Sequence, residues 1–431
     1  MTKLSENTIY FHVDVNSAFL AWDATWRLDH GEALDLRTIP SIVGGSQATR
    51  HGIVLAKSTP AKRYKIHTGE PVTAALSKCP NLTVVPPRYD IYEQASHALM
   101  EYLRAFSPTV ERFSVDEAFV EYTGLGKLHG DPEAAAKRLS QSIKRDLGFT
   151  VNVGVSTNKL LAKMAGELDK PDKVITLWPH EVKKKLWSLP INELYMVGRR
   201  TEKKLTDMGV ITIGDLATQD PKLIEYRLKS PGLMLWHFAN GHHVDTGKGG
   251  AGNFQGMIPN TADTIGIKGM GNSATIAFDV KDKDTAYQVI LSLAETVSSR
   301  LRENQLRAHV VYVSYATHDF RRFARQSRYS TPTASTSDIY QRAIAVFDTL
   351  WDEAPIRQMG VWTGGFTQHQ HLQTSFINQS WKAELADHAV DSVRRKYGDG
   401  AVMRGSMLQS RIRHMIGGTA SNRHFLNETV K

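Results

Sequence analysis

Three carboxylates are the first residues in this chain whose types and spacing suggest chemistry. Asp14 falls near the end of the apolar run "YFHVDV", and Asp116 and Glu117 sit side by side in "FSVDEAFVEY", an otherwise apolar, β-branched and aromatic stretch. Such runs read as strands. A strand sends neighbouring side chains to opposite faces, so on a regular strand the adjacent pair could not act together. At or near the turn of a hairpin that restriction lifts, and both could point toward the end of the first strand, where Asp14 stands. Carboxylates gathered at one sheet edge repel one another unless cations neutralise them. Hard divalent cations with oxygen ligands, Mg²⁺ above all, suit such a cluster and leave positions for phosphate oxygens and water. Two such ions about 4 Å apart can activate an attacking hydroxyl and stabilise a leaving pyrophosphate, as a nucleotidyl transfer requires. Spacing alone leaves a plainer arrangement open, with Asp14 capping a helix and Asp116–Glu117 decorating a solvent-exposed turn.

The elements that would position these groups can be read in order. "TIYFHVDV" is a strand and "SAFLAWDATWRL" a helix that Asn16 or Ser17 could cap. Residues 31 to 88 are rich in Gly and short apolar runs and close on "VVPPRYD". A helix over about 89 to 106 precedes "TVERFSVDEAFVEYTGL", which reads as a hairpin, and the helix "DPEAAAKRLSQSIKRDL" has Pro132 near its first turn. The strand "FTVNVGVS" and the helix "TNKLLAKMAGEL" follow. With 31 to 88 set aside, the order is β-α-β-β-α-β, a split βαβ arrangement.

Residues 179 to 250 read as short helices, with two amphipathic pieces around a Val-Gly turn in "LPINELYMVGRRTEKKLTDMGVITIGDLA" and a second turn at Gly209. "GKGGAGNFQG" has the composition of a flexible linker. A second β-α-β-β-α-β order runs from "SATIAFDV" to "RQMGVWTGGF", and in its first helix Val289, Leu293, Val297 and Leu301 recur every four residues. The order repeats without sequence identity. The two hairpins differ in charge: the first carries Asp116 and Glu117, the second Arg321, Arg322, Arg325 and Arg328. One unit looks built for cations, the other for phosphates. A tail from about 371 holds one more helix, "KAELADHAVDSVRRKYG", and a polar, basic end.

Bulk properties narrow the class. A chain of 431 residues suggests about two to four domains. Its 23% charged and 41% hydrophobic residues are ordinary for a soluble globular protein, and the net charge of +9 favours a polyanionic partner, nucleic acid first and membrane surface second. The single Cys79 excludes an internal disulfide and a Cys-based zinc site. No signal-peptide pattern opens the chain and no apolar run is long enough to cross a bilayer, so a cytoplasmic location is expected. There is no G-x-x-x-x-G-K-[ST] phosphate loop and no G-x-S-x-G elbow. The "QHQH" histidines, without Cys or an H-E-x-x-H helix, read as surface residues.

"FHVDVNSAFLAW", "FSVDEAFVEYTGL" and "GVSTNKLLAKMAGELDKPDKV" together resemble the three signature blocks of the Y-family, translesion DNA polymerases of the UmuC/DinB type. The resemblance runs in order over residues 9 to about 366 and takes in "VGGSQATRHGIVLAKS", "MVGRRTEKKLTDMGVITIGDL" and "IGIKGMGNSATIAF". It implies an α+β, multidomain right-hand polymerase: a ferredoxin-like (βαββαβ) palm at 1–30 and 89–178, small fingers at 31–88, a helical thumb at 179–246, a linker at 247–264, a second βαββαβ unit, the little finger, at 265–370, and a tail at 371–431. It implies two Mg²⁺ ions, with Asp14, Asp116 and Glu117 as the catalytic, metal-binding carboxylates and the Val15 carbonyl as a further ligand. Phe19 falls at the aromatic steric-gate position, whose ring excludes a ribose 2′-hydroxyl. Lys170 matches a lysine that contacts the incoming triphosphate. "MVGRR", with Val197, Gly198 and Arg199, resembles a helix-hairpin-helix turn that holds a DNA phosphate. Thr275, Arg321, Arg322 and Arg325 fall in the unit that grips DNA.

The chain departs from the family pattern in places. Asn16 stands where a second Asp is common. Thr59 and Lys62 stand at the usual Tyr and Arg of the triphosphate site, so a hydroxyl and a cation survive but a bidentate Arg contact does not. Ile53 and Leu55 are bulkier than Ala in the roof over the nascent pair. In the tail, Gln373 to Ile377 ("QTSFI") faintly resembles peptides that dock the sliding clamp, with Thr374 replacing the usual aliphatic residue. The expected partners are primer-template DNA, deoxynucleoside triphosphates and the clamp, with no membrane and a monomeric chain. A non-catalytic DNA-binding accessory factor that keeps the fold is the alternative, and a palm-type nucleotide cyclase or RNA-synthesising enzyme a more distant one.

Overall fold

The computed structural model describes residues 8–45, 52–242, 267–368, 380–408, 410–412 and 415. The expected linker, 247–264, and the clamp-like peptide, Gln373 to Ile377, lie outside the described residues. Two compact units are present, residues 1–44 with 54–265, and residues 266–431 with 45–53. Among the described residues no helix is long and apolar enough to cross a membrane.

The first unit begins with β1 (Tyr10–Val15) and α1 (Ala18–Asp29). A three-stranded sheet follows, made of β2 (Ser41–Gly44), β3 (Val54–Lys57) and, after the short helices α2 (Thr59–Lys62) and α3 (Val72–Lys78), β4 (Thr83–Val85), in the order β3-β2-β4. This sheet falls within 31–88, the span expected for the fingers. The chain returns through α4 (Tyr89–Phe106), β5 (Val110–Arg112), β6 (Glu117–Glu121), α5 (Gly126–His129), α6 (Pro132–Leu147), β7 (Val151–Ser156), α7 (Lys159–Leu168) and β8 (Val174–Thr176). The five strands of the larger sheet lie in the order β5-β6-β1-β7-β8, so the first strand is central. Pro132 is the first residue of α6, and the Asp131 carboxylate accepts from the Ala134 N–H at 2.9 Å, a cap of the expected kind.

Both faces of the palm sheet are covered. Phe11, Val13 and Val15 of β1 alternate onto α1, α4 and α6, with Trp22, Leu99 and Ile143 in the same core. His12 and Asp14 point to the other face, where α7 packs. Contact there is unusually close at Gly154 of β7: a Cβ would lie 1.9 Å from the Ala162 carbonyl oxygen and 2.5 Å from the Gly166 nitrogen. Only glycine lets α7 approach this near.

Within 179–246, the span expected for a thumb, lie α8 (Val182–Lys185), α9 (Arg199–Thr206), α10 (Ile213–Thr218) and α11 (Pro221–Ala239). The first expected amphipathic piece is only a single 3₁₀ turn, Ile191–Glu193, because Pro190 and the turn through Met196 (φ 74°) leave no room for a longer helix. The second piece is α9, and Gly209 (φ 80°) makes the expected turn after it. α11 is broken at Lys229 (φ 60°, ψ −157°), two residues before Pro231.

The second unit holds β9 (Gly269–Val280), α12 (Lys283–Glu303), β10 (Leu306–Thr317), β11 (Arg322–Thr333), α13 (Thr336–Asp348), β12 (Ile356–Gln368) and α14 (Ser380–Tyr397). Its sheet is antiparallel throughout, in the order β11-β10-β12-β9. Val289, Leu293, Val297 and Leu301 of α12 are all fully buried, against Val311, Val313, Met359 and Val361 of the sheet. The helices cover one face only. On the other, Trp362 lies across Gly271 and Gly360, whose Cβ atoms would come within 1.8 and 2.2 Å of its ring, and it meets Tyr312 edge-on at 5.3 Å. α14 joins the helical side through buried ion pairs: Arg302 to Asp391 at 2.6 Å and Arg394 to Glu295 at 3.3 Å.

Candidate active site

The turn between β5 and β6 occupies residues 113–116, so Asp116 ends the turn and Glu117 opens β6. Asp14 is the cross-strand partner of Glu117, and the Val15 N–H donates to the Asp116 carbonyl at 3.1 Å. The hairpin therefore brings all three acidic residues to one end of the central strand. β1 turns sharply into α1 through Ser17, in a left-handed conformation (φ 52°) with no side-chain cap hydrogen bond, which corrects the expected Asn16 or Ser17 cap. Asn16 instead ties this corner to the start of β7, its side chain donating to the Thr150 hydroxyl at 3.1 Å and its N–H to the Thr150 carbonyl at 3.0 Å.

Each carboxylate already has a partner. Lys170 pairs with Asp14 and, at 2.8 Å, with Glu167. Lys163 reaches Glu117 at 2.8 Å, and the Ser114 hydroxyl donates to Asp116 at 2.6 Å. Burial raises the Asp14 carboxyl, Lys170 lowers it, and Glu117 and Glu167 raise it again, for a net pKa of about 6. Burial would also raise Glu117, but His12 and Lys163 outweigh it and bring it to about 2. His12 is fully buried, which lowers its pKa, and its Nε2 lies 3.4 Å from Glu117. Among the described residues no three acidic or imidazole side chains converge closely enough as they stand to hold a metal ion. The donor set still fits a hard divalent cation: oxygen ligands from adjacent strand ends, with a buried Asp14 whose charge calls for compensation. Lys170 now supplies that compensation, so a cation at Asp14 requires Lys170 to move aside.

A cavity of about 300 Å³ opens beside the carboxylates. Asp14, Val15, Asp116 and Lys170 line it from the palm, and Leu55 and Lys62 from the fingers. Phe19, on the first turn of α1, forms another part of the wall. Its ring stacks on Tyr92 at 4.5 Å and 8°, with Tyr89 edge-on at 6.1 Å. The Tyr92 hydroxyl donates to Asp23, a fully buried carboxylate that also accepts from Arg27 at 2.5 Å and Arg88 at 2.8 Å. Phe19 is thus held from behind by an ion-paired aromatic stack, which suits a ring whose position matters. Thr59, the first residue of α2, lies on a neighbouring cavity and not on this one, whereas Lys62 borders both. Ile53 is 44% exposed.

In the thumb, Val197 is buried, Gly198 precedes the first turn of α9 with open space around it, and Arg199 begins the helix. In the second unit, Thr275 shares the open sheet face with Trp362. The arginines do not share one face. Arg322 and Arg328 pair with Ala316 and Val310 on the open side, whereas Arg325 pairs with Val313, a core position, and reaches the Thr349 carbonyl at 3.4 Å. Arg321 lies in the turn, 2.8 Å from Asp319.

Sequence reading missed the α7 stripe. Lys159, Lys163 and Glu167, spaced four apart, face Glu111, Glu117 and Lys170 in turn, and both lysines are buried. Two lysines one turn apart inside the apolar "NKLLAKMAGEL" were the available signal.

Comparison with known proteins agrees with this geometry. The impB/mucB/samB family profile matches residues 13–167, its HHH motif residues 179–210 and its C-terminal domain residues 267–376. DNA polymerase IV of Clostridium acetobutylicum is 41% identical over 404 residues, covering 93% of this chain and 98% of that protein. The chain belongs to the impB/mucB/samB family, the Y-family DNA polymerases. Within the family, DNA polymerase IV of Acetivibrio thermocellus is 35% identical over 94% of this chain and 98% of its own. A solved Y-family DNA polymerase chimera, 20% identical, superposes with a TM-score of 0.66 over 84% of this chain and 99% of that one, which extends the family likeness to the fold.

Proposed function

We propose that the palm cavity carries out DNA-templated DNA synthesis of the translesion type, adding a deoxynucleotide to a primer 3′-hydroxyl. The observation that carries this reading is the gathering of Asp14, Asp116, Phe19, Lys62 and Lys170 around one cavity, with Glu117 on the next strand position. Two Mg²⁺ ions held by Asp14, Asp116, Glu117 and the Val15 carbonyl would supply activation of the hydroxyl and neutralisation of phosphate charge. The remaining work falls to the chain itself. The 3′-oxygen bonds to the α-phosphorus, the α–β P–O bond breaks, pyrophosphate leaves with the bonding pair, and the hydroxyl proton passes to water.

Lys170 turns from Asp14 to the incoming triphosphate, so the cation that holds the empty site together becomes a substrate contact. Lys62 adds a second cation for the same phosphates, while Thr59 borders the adjoining cavity. Lys163 keeps Glu117 ionised, since a raised proton affinity there would compete with cation binding. Phe19, backed by Tyr92, excludes the 2′-hydroxyl of a ribonucleotide. Gly198 and Arg199 take a DNA phosphate at the start of α9, and Thr275, Arg321 and Arg322 contact the backbone further along, in keeping with the net charge of +9. Action as a monomer in the cytoplasm and docking of Gln373–Ile377 on a sliding clamp complete the reading.

Primer extension on an undamaged primed template with Mg²⁺ and deoxynucleotides tests it, with Asp116→Ala beside the wild type. Extension by the wild type alone is expected. Equal extension by both would remove the carboxylates from the mechanism, and none by either, with DNA bound, would favour the accessory-factor reading.

A further inference from the structure

A second cavity, about 490 Å³, adjoins the first, and Asn16, Ser17 and Lys62 line both. The rest of its wall includes Arg37, Thr59, Lys144, Thr150 and Asp172. Three cations therefore border it against a single carboxylate. Among the described residues no carboxylate pairs with Lys62. Arg37 is bound to Asp35 at 2.9 Å and to the Gly148 carbonyl at 2.6 Å, which fixes its guanidinium at the rim. Lys144 meets Asp172 at 2.7 Å, but the two side chains are 57% and 36% exposed. An ion pair that open to water is worth little, so an incoming anion can displace the carboxylate at small cost. A cleft with an excess of one charge concentrates the opposite one.

We propose that this cavity is a second anion subsite that receives the pyrophosphate released in the first, with Lys62 at the passage between them. The role rests on the polymerase reading above; the subsite rests on its own lining. Pyrophosphate leaves with several negative charges and must clear the carboxylates that the next cycle uses. The nucleotide cavity sets Asp14 and Asp116 against Lys57, Lys62 and Lys170, whereas the second sets Asp172 alone against Arg37, Lys62 and Lys144. A leaving anion therefore meets a larger cation excess in the second cavity than in the first. Lys62 suits the passage because an ammonium on a flexible stem can follow a phosphate without holding it in one bidentate geometry.

Two exposed variants of opposite sign test the proposal. Lys144→Ala removes a cation from the second cavity, and Asp172→Asn removes its carboxylate while keeping a residue that tolerates the left-handed backbone there (φ 58°). Calorimetric titration with inorganic pyrophosphate, without DNA, reads binding directly. Primer extension with added pyrophosphate reads product inhibition. Lys144→Ala is expected to weaken pyrophosphate binding and raise the half-inhibiting concentration about fivefold, and Asp172→Asn to move both the other way, with KM for deoxynucleotide unchanged in each. Unchanged pyrophosphate binding in both variants overturns the proposal. A deoxynucleotide KM that moves in step with pyrophosphate also overturns it, because the residues would then belong to the nucleotide cavity. A protein that extends no primer yet keeps the contrast in binding supports the subsite and overturns only the polymerase reading.

Discussion

The larger sheet of the first unit, proposed as the palm, and the second unit, proposed as the little finger, are both built in the order βαββαβ, yet they put different strands at the centre. In the palm the first strand lies inside the sheet, between β6 and β7; in the little finger the first strand is at an edge and the last, β12, is inside. The palm sheet is covered on both faces, and its three acidic residues stand at one end of the central strand, where Lys163 of α7 pairs with Glu117 and Lys170 with Asp14. The little-finger sheet is covered on one face, and Arg322 and Arg328 of the edge strand β11 stand on the open side, which Trp362 floors. A doubly covered sheet can hold charges at fixed separations in a water-poor setting, as chemistry requires. A singly covered one offers breadth, as a grip on a long polyanion requires.

If the division is sound, variants on the two sides fail differently. The largest effect is expected at Asp116→Ala, which should lower primer extension on the order of 10⁴-fold with DNA binding retained in a gel-shift assay; equal loss of binding would dissolve the distinction. Next is Arg302→Ala, which strands Asp391 without its buried partner and should cost the little finger about 3–5 kcal/mol, seen as a lower unfolding temperature. Phe19→Ala should reduce discrimination against ribonucleotides about 100-fold in single-nucleotide incorporation, with deoxynucleotide use less affected.

The pH dependence of the metal-free protein gives a smaller effect. Asp14 has its pKa raised from 3.8 to about 6, so the folded state holds the proton more tightly than the unfolded chain. Its ionisation therefore costs stability that is absent below pH 3.8, grows through the window up to about 6, and is complete above it. Asp14→Asn should stabilise by about 3 kcal/mol at pH 7 and by almost nothing at pH 3.5, measured by chemical denaturation in EDTA. The smallest change is expected on the open side of the little finger. The double variant Arg322→Ala/Arg328→Ala should weaken DNA binding about tenfold, flatten the salt dependence by about two phosphates, and leave turnover at saturating DNA intact.

Much of this arrangement was legible because it rests on local pattern. The Val289–Leu301 repeat, the Pro132 start of α6 and the placement of Asp116 in a turn follow from periodicity, ring geometry and strand alternation. The strand orders were not legible, since a shared element order is compatible with either strand at the centre. Nor was the splitting of the arginines: Arg325 belongs to the helix-facing side because register with Val313, not composition, assigns its face. The first thumb helix failed because Pro190 and a left-handed Met196 override an amphipathic pattern. Lys163 and Lys159, partners of Glu117 and Glu111, escaped because they come from a helix whose contact with β1 depends on tertiary packing.

That packing turns on Gly154. It carries no functional group and lies on β7, a strand with none of the three acidic residues, but the depth to which α7 sinks is set there by the lack of one carbon. A methyl group at 154 would lift the helix, and with it Lys163 from Glu117 and Lys159 from Glu111, by a single outward shift. The electrostatic tuning of the site is thus a matter of thickness: the charges are spaced by how thin the layer between helix and sheet can be made.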